Sequence, residues 1–267
     1  MNKILTIVLT IIILAACSTK KDMPQTATKK VEVKNSTVIT KAPETITDPK
    51  ATEVWEPEPE VVDASKSPGS APSDAIVLFG GDNIDEWVHY DGSPAQWTVS
   101  DGIITCKPGT GNIKTKKIFG DVQFHIEWRS PSEPNKKGQD KGNSGVFFQR
   151  KYEVQILNSF NNRTYSNGQA GAIYKQHPPL VNATVKTGDW NTYDVIFHAP
   201  VFEGEQMVKN GTMTVLHNGV LIQDHSKILG TTEYIGPPKV IPHGDDHIVI
   251  QDHSNYVSYR NIWLREL

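Results

Sequence analysis

The chain lacks three features, and each absence excludes a class of protein. Its 267 residues carry a net charge of -3 with a pI near 6.3, so there is no basic surface for nucleic acid, and we expect no nucleic-acid partner. The amino-terminal apolar run, Ile4 to Leu14, is shorter than the roughly 20 residues of a membrane-spanning helix. Amphipathic helical periodicity is nearly absent, which disfavours a helical bundle.

Cysteine is also scarce, with only Cys17 and Cys106 in the chain. Lys3, the apolar run and the small residues before Cys17 form a signal peptide. The segment Leu14-Ala15-Ala16-Cys17 resembles the lipobox of bacterial lipoproteins; the alternative is a plain secretory signal. The resemblance implies an acylated Cys17, a lipid anchor as the only membrane contact, and, with Ser18 next, an outer-membrane lipoprotein on its periplasmic or outer side. Cys106 would then have no disulfide partner, and its apolar surroundings predict a small buried side chain.

Composition divides the chain into three segments. Residues 1–17 are the predicted lipoprotein signal. Residues 18–73 are rich in Lys, Glu, Thr and Pro and show no sustained apolar period, which predicts a disordered tether. Residues 74–267 are numerous enough to bury one core, and they form the predicted folded domain.

Short alternating runs separated by turn residues predict that this domain is an all-β sandwich. Val122 to Arg129 alternates strictly, and Asn218-Gly219 between the alternating runs Thr212 to His217 and Val220 to Gln223 is a strong hairpin signal. The other candidate strands are Trp97 to Val99, Ile103 to Cys106, Trp190 to His198, His247 to Gln251 and Tyr256 to Leu264. A second hairpin is expected from Asn143 to Asn158, with a break at Arg150-Lys151. Four tryptophans in strand-like apolar runs are expected to pack in the core: Trp87, Trp97, Trp128 and Trp263.

Polar side chains alternate with the apolar ones along several of these strands. They are predicted to share one sheet face and comprise Glu127, Arg129, Gln149, Glu153, Gln155, Gln251, His253 and Arg260. Amide and charged groups bind sugar hydroxyls, and the rings of Phe147, Tyr174 and Trp190 could cover a sugar's C–H faces. The pattern favours a carbohydrate site, although the solvated side of amphipathic strands would look similar.

An ordered set of motifs carries a family resemblance over nearly all of residues 74–267. The set comprises Leu78-Phe-Gly-Gly-Asp, Trp97-Thr-Val-Ser-Asp-Gly, Glu127-Trp-Arg, Asn143-Ser-Gly-Val, Tyr152-Glu-Val-Gln-Ile-Leu, Gly171-Ala-Ile-Tyr, Trp190-Asn, His217-Asn-Gly, Gln251-Asp-His and Arg260-Asn-Ile-Trp. It resembles the bacterial 3-keto-disaccharide hydrolase domain. The resemblance implies a concanavalin A-like jelly roll of two antiparallel sheets.

The same resemblance implies cleavage of glycosides whose sugar is oxidised at C3, and hence a functional link to a sugar 3-oxidoreductase. A carbonyl at C3 acidifies the C2 proton, so one base, one acid and donors to an enolate oxygen suffice. The strand reads Glu153-x-Gln155-x-x-Asn158, similar to the Glu-x-Asp-x-x-Glu strand of jelly-roll glycosidases but with amides at two places. A single carboxylate remains.

Roles follow as expectations for this reaction. Glu153 and His253 form the proton-transfer pair, with base and acid left unassigned, and Arg260 and Gln251 stabilise the oxyanion. Sugar hydroxyls would be held by Glu127, Asn143, Gln149, Gln155 and Tyr174. Arg260 paired with Glu127 inside the sandwich, and His253 as a loop residue, are the structural alternatives.

No cofactor is expected, although His243-Gly-Asp-Asp-His247 and Asp252-His253 keep a divalent metal open as a lesser alternative. These residues lie in a loop and match no standard ligand spacing. Two other functions remain open: a non-catalytic carbohydrate-binding module on the same fold, and a structural envelope lipoprotein that binds protein through an exposed apolar patch.

Overall fold

The computed structural model describes residues 47–64, 67–133 and 135–267. Cys17, the lipobox and the first part of the predicted tether lie outside the described residues. The chain divides into two units, Met1–Glu58 and Pro59–Leu267. In the described part of the first, a 3₁₀ helix, Pro49–Thr52, is capped by the side chain of Asp48. No helix in the described ranges has the length and apolar character that crossing a membrane requires.

The regular secondary structure of the second unit consists almost entirely of short strands, which long loops connect. They are β1 (Ile76–Phe79), β2 (Trp87–Val88), β3 (Thr98–Ser100), β4 (Ile103–Thr105), β5 (Ile113–Thr115), β6 (Val122–Arg129), β7 (Ser144–Phe148), β8 (Tyr152–Ile156), β9 (Asn191–His198), β10 (Val201–Glu203), β11 (Gln206–Lys209), β12 (Thr212–His217), β13 (Val220–Lys227), β14 (Val249–Ile250) and β15 (Ser258–Glu266). Two 3₁₀ turns, Gly138–Asp140 and Ser166–Gly168, interrupt the loops.

The strands form two main antiparallel sheets, which confirms the predicted jelly-roll sandwich. The larger sheet has the order β13-β12-β9-β6-β15-β4-β3, with β1 also paired to β15. The smaller has the order β2-β5-β14-β7-β8, and β10 and β11 form a separate ribbon. Hairpins such as β7–β8 and β12–β13 alternate in these sheets with pairs that are far apart in the chain, such as β6 with β15 and β7 with β14, as jelly-roll crossovers require.

Each sheet buries one face because its strands alternate apolar and polar residues. Along β6, Val122, Phe124, Ile126 and Trp128 point into the core, while Gln123, His125, Glu127 and Arg129 point away from it. Trp87, Trp97 and Trp128 pack in the core as predicted, and Cys106 is buried there. Trp263 is also buried, but it stacks on His125 on the other side of the larger sheet, so its predicted place in the core is wrong.

Turn chemistry sets the hairpin registers as predicted. Asn218 and Gly219 have φ values of 54° and 76°, and they connect β12 to β13. Positive φ at both central residues matches the right-handed twist of the paired strands. The bounds of β6 and β12 agree with the sequence prediction, whereas β13 continues four residues beyond it. Five strands were not predicted, namely β1, β2, β5, β10 and β11, because runs of two to four residues are too short to show a period.

Phe148 illustrates how the two sheets hold together. Its ring stacks on Phe197 at 5.0 Å and meets Phe124 edge-on at 5.4 Å, so one side chain of the smaller sheet packs on two of the larger. We expect Phe148→Ala to lower the free energy of unfolding by about 3–5 kcal/mol, measured by urea denaturation. Val208→Ala, at an exposed strand position, is the control and should change it by less than about 0.5 kcal/mol. Equal losses for both variants would contradict this account of the core.

Candidate active site

The β7–β8 hairpin forms the floor of the candidate site. Its register pairs Phe147 with Glu153 and Gly145 with Gln155. Tyr152, Val154 and Ile156 face the core, so alternation turns Glu153 and Gln155 to the outer face of the smaller sheet. The predicted separation of the two faces is therefore confirmed for this strand.

A cleft of about 260 Å3 lies over this hairpin. It is lined by Asn143, Phe147, Glu153, Gln155, Tyr174, Thr232, Tyr234, Gln251 and His253. Two loop segments complete it beside β8. Tyr174 donates its N–H to the Glu153 carbonyl at 3.1 Å, and Thr232 accepts the Glu153 N–H through Oγ1 at 3.0 Å. Backbone bonds on both sides therefore fix the position of Glu153.

The Glu153 carboxyl group is desolvated and unpaired. The residue is 4% exposed, and no donor among the described residues lies within hydrogen-bond distance of its carboxylate. Burial disfavours the charged form and raises the pKa of this carboxyl from its ordinary 4.5 to about 8. Such a group can hold or take up a proton near neutral pH, as a general acid or base must.

Gly145 makes room for this carboxylate. A Cβ added at Gly145 would collide with Oε1 of Glu153, because the side chain lies directly over the neighbouring strand. The glycine in Asn143-Ser-Gly-Val thus lets the Glu153 side chain lie against β7, and a larger residue there would displace its carboxylate.

Tyr174 supplies a hydroxyl on the same surface. Its OH is 2.7 Å from the Tyr165 OH, and the Lys175 ammonium lies 5.5 Å from the centre of the Tyr174 ring. Burial raises the pKa of the Tyr174 phenol, and the Tyr165 hydroxyl and the Glu153 carboxylate act in the same direction. Tyr174 therefore remains protonated and can act as a hydrogen-bond donor.

Amide groups form the other end of the cleft. Gln155 donates from Nε2 to Asn143 Oδ1 at 3.0 Å and to the Ile156 carbonyl at 3.1 Å, which leaves Oε1 as its remaining acceptor. Asn143 in turn donates to the Gln139 carbonyl at 2.8 Å. Buried Oε1 of Gln251 has no partner within the part of the chain that the structure describes. These groups suit a ligand rich in hydroxyl donors.

His253 lines the cleft but is exposed, in contrast to Glu153. Its carbonyl accepts a hydrogen bond from Asn255 Nδ2 at 2.7 Å, which holds the loop before β15. The predicted site residues that the cleft unites are Asn143, Glu153, Gln155, Tyr174, Gln251 and His253.

Arg260 and Glu127 lie elsewhere, so the expectation that they join this site is wrong, and the alternative, a pair between Arg260 and Glu127, is what the structure shows. Both are on the outer side of the larger sheet, where Arg260 Nε meets Glu127 Oε2 at 2.5 Å. The Arg260 guanidinium lies 4.2 Å from the centre of the Trp190 ring, and Arg129 lies 4.6 Å from it. Trp190 is therefore not a cleft residue either. The error arose because two sheets have two outer faces, and alternation alone does not tell them apart.

Gln149 is also absent from the cleft lining. It lies in the turn of the β7–β8 hairpin with φ of 50°, is buried, and donates from Nε2 to the Phe119 carbonyl at 3.3 Å. Its predicted role in binding sugar hydroxyls is wrong, because the strand ends one residue earlier and the turn rotates the side chain away.

Two cleft residues were missed from sequence, Thr232 and Tyr234. They belong to a loop that forms no strand, so the search for alternating polar residues passed over them. A tyrosine just before Gly236-Pro237-Pro238 was the available signal, since aromatic residues exposed in turn-rich loops often contact ligands.

The residues considered for a metal have separate contacts. His243 Nε2 lies 2.5 Å from the Tyr152 hydroxyl, Asp246 pairs with Arg150 at 2.8 Å, and Asp252 accepts the N–H of Gly109 at 2.7 Å. Within the described ranges no three His, Cys, Asp or Glu side chains come together as a ligand set.

Fold and cleft together define a jelly-roll protein with a polar pocket on its smaller sheet, a shape common to carbohydrate-active proteins. More specifically, residues 74–265 match the 3-keto-alpha-glucoside-1,2-lyase-like domain, and the chain belongs to this family. The resemblance seen in the sequence motifs is confirmed. Family membership supports a glycoside-cleaving function in general.

Three solved structures from Parabacteroides distasonis ATCC 8503, each described as a candidate glycosyl hydrolase, are similar to this chain. One is 47% identical, with 82% of this chain and 97% of that chain covered and a TM-score of 0.80. The second is 20% identical, with coverages of 73% and 94% and a TM-score of 0.54. The third is 18% identical, with coverages of 72% and 99% and a TM-score of 0.51; the last two show the fold alone. No curated protein matches the chain.

The pKa of Glu153 makes a prediction about stability. Because the folded-state pKa of Glu153 is raised above the ordinary 4.5, the neutral carboxyl makes its full contribution to the free energy of unfolding below pH 4.5. That contribution is lost as pH rises through about 8, the folded-state pKa. Relative to the wild type, Glu153→Gln should gain stability between about pH 5 and about pH 9, by up to about 5 kcal/mol at about 1.4 kcal/mol per pKa unit. Urea unfolding of both proteins at each pH measures the difference; a constant difference would show that the carboxyl is not desolvated.

Proposed function

We propose that the chain cleaves glycosides whose sugar ring is oxidised at C3, by removing the C2 proton and eliminating the C1 substituent. The observation that carries the proposal is the isolation of the Glu153 carboxyl, the single carboxylate among the residues lining the cleft. Ordinary glycosidases need two carboxyl groups roughly 5–10 Å apart on either side of the scissile bond. Glu233, the next acidic residue along the nearby loop, is engaged by Lys239 at 2.9 Å and Thr231 at 2.9 Å.

The reaction balances with one base and one acid. The base takes the C2 proton, and the electron pair is delocalised onto the C3 oxygen as an enolate. The enolate then returns its electrons to form the C1–C2 double bond while the bond from C1 to the leaving oxygen breaks, and that oxygen receives a proton. Water finally adds across the double bond, with hydroxyl at C1 and hydrogen at C2, giving the free 3-keto sugar and the free aglycone.

The environments of the two proton-transfer candidates support a division of roles. Glu153 is desolvated, so its deprotonated form is a strong base toward an adjacent C–H group. His253 lines the same cleft with an exposed imidazole, and we assign it the protonation of the leaving oxygen. The Tyr174 hydroxyl, held by Tyr165, is the donor we assign to the enolate oxygen in place of Arg260.

The setting of this activity remains a prediction from the sequence. Acylated Cys17 would tether the enzyme to the cell envelope, and a sugar 3-oxidoreductase would supply the oxidised glycoside. We also propose that the reaction proceeds without a cofactor, because acidification by the C3 carbonyl leaves only proton transfers to catalyse.

The catalytic role of Glu153 is tested by Glu153→Gln, an isosteric change that removes only the ionisable group. Turnover of a 3-keto glucoside, followed by mass spectrometry, should fall by about 10²–10⁴-fold, the usual contribution of a general base. For the wild type, kcat/KM should rise with pH and level off above about 8, because the base must be deprotonated.

Glu127→Gln is the matched control, since it makes the same chemical change on the outer face of the larger sheet. It should retain turnover. Unchanged turnover in Glu153→Gln would exclude the proposed mechanism. If the wild type binds glycosides but releases no aglycone from oxidised or unoxidised substrates, the protein is a carbohydrate-binding module instead.

A further inference from the structure

Two cleft residues, Gln251 and His253, lie on either side of Asp252 in the loop that connects β14 to β15. His253 is the group to which we assign the protonation of the leaving oxygen, and Gln251 presents a buried amide to the cleft. A loop side chain keeps a fixed position only when other contacts hold its backbone. The contacts of this loop therefore decide where both groups lie.

The carboxylate of Asp252 anchors this loop to a second loop, residues 107–112. Its Oδ2 accepts the N–H of Gly109 at 2.7 Å and the N–H of Gly111 at 3.0 Å. The two glycines have φ values of 85° and 92°, and turns with left-handed residues can direct neighbouring N–H groups toward one anion. The anchor joins Gly111 to a residue 141 positions away in the chain.

Asp252 is held from two further directions. Its other oxygen, Oδ1, accepts the N–H of Ser254 at 2.9 Å, which closes a turn around His253, and its own N–H donates to Asn112 Oδ1 at 2.9 Å. Partial burial acts to raise the pKa of the Asp252 carboxyl, but the backbone N–H donors outweigh it, so the pKa lies below its ordinary 3.8. The group is therefore charged at neutral pH, and a charged acceptor forms the stronger hydrogen bonds.

The backbone directly after His253 is strained. Ser254 has a φ of 58°, and a residue with a side chain keeps this left-handed conformation only where surrounding contacts enforce it. One such contact is the bond to Asp252. Others come from Asn255, which donates from Nδ2 to the His253 carbonyl at 2.7 Å and accepts the N–H of Gly142 through Oδ1 at 3.2 Å. The backbone on both sides of His253 is therefore fixed.

Gln251 connects the same loop to the floor of the cleft. Its N–H donates to the Gly145 carbonyl at 3.0 Å, and Gly145 is the residue over which the Glu153 carboxylate lies. Position 251 is therefore fixed relative to the proposed base. Asp252 lies between this fixed position and His253, the proposed acid.

We propose that Asp252 is a positioning residue, whose carboxylate holds the loop so that His253 can protonate the leaving oxygen. The proposal rests on the proposed function, and it adds a residue that does not line the cleft. Displacement of a catalytic group by about 1 Å can cost about 100-fold in rate. Loss of the anchor should therefore slow bond breaking at C1, whereas proton removal at C2, which we assign to Glu153, should continue.

Asp252→Asn tests the proposal, because an amide keeps the size of the side chain but turns an NH₂ group toward backbone N–H donors. The full chain is incubated with a methyl 3-keto-glucoside in deuterated water, beside a blank without protein. Mass spectrometry follows release of the free 3-keto sugar, which reports cleavage at C1, and deuterium in the recovered substrate, which reports exchange of the C2 proton. Release should fall about 10–100-fold, and deuterium uptake should not fall below that of the wild type.

Asp121→Asn is the matched control. The Asp121 carboxylate also accepts a backbone N–H, that of Ala199 at 2.7 Å, but Asp121 does not line the cleft. Both rates should equal those of the wild type. Asn112→Ala is a second test variant, because it removes the acceptor of the Asp252 N–H; it should also slow release selectively, by a smaller factor. Thermal unfolding of each variant identifies any loss of fold.

Two results in Asp252→Asn would overturn the positioning role: release at the wild-type rate, or a fall in deuterium uptake equal to the fall in release, as general damage to the site would cause. If Asp252→Asn does not fold, the same comparison in Asn112→Ala decides. The proposed function fails separately. Release by Glu153→Gln at the wild-type rate would exclude the proposed mechanism, whatever the Asp252 variant does.

Discussion

Desolvation of one carboxyl group is the constraint on which the site depends. Among the residues that the structure describes, no counter-charge pairs with Glu153, whose side chain lies over a strand that has no side chain at Gly145. The backbone of Glu153 is fixed by Tyr174 on one side and Thr232 on the other. A buried ionisable group lowers the stability of the folded state whenever it is charged, and the surrounding sandwich must compensate for this. The core contacts between the two sheets, such as those of Phe148, provide that compensation.

The architecture separates rigid and adaptable parts of the site. Glu153, the proposed base, lies on a paired strand, whereas other groups around the cleft, including Tyr174, Thr232 and Tyr234, come from loops. Loops tolerate substitution better than strands do. The loop residues around the cleft can therefore vary while the strand that carries Glu153 keeps its position.

Periodicity in the sequence was sufficient to predict the fold class, the bounds of β6 and β12, and the face on which Glu153 and Gln155 lie. It failed for Arg260, because alternation gives a residue's side within its own sheet but not which sheet it belongs to. The long-range pairing of β6 with β15 placed Arg260 against Glu127 on the other surface. The prediction for Gln149 was wrong because this residue has a left-handed backbone in the turn. Thr232 was missed because it lies in a loop without a regular pattern. These positions depend on tertiary contacts, and the alternation of residues along a short segment of sequence carries no information about such contacts.

The carbonyl of Gly69 accepts two hydrogen bonds, from Trp263 Nε1 at 2.9 Å and from Asn261 Nδ2 at 2.7 Å. Trp263 is also stacked on His125, so this short segment covers an aromatic pair on the larger sheet. Shortening the protein to begin at Asp74 would remove the acceptor and expose the indole. The ordered contacts of the sandwich therefore extend upstream of the family match, at least to Gly69, and losing them would return apolar indole surface to water.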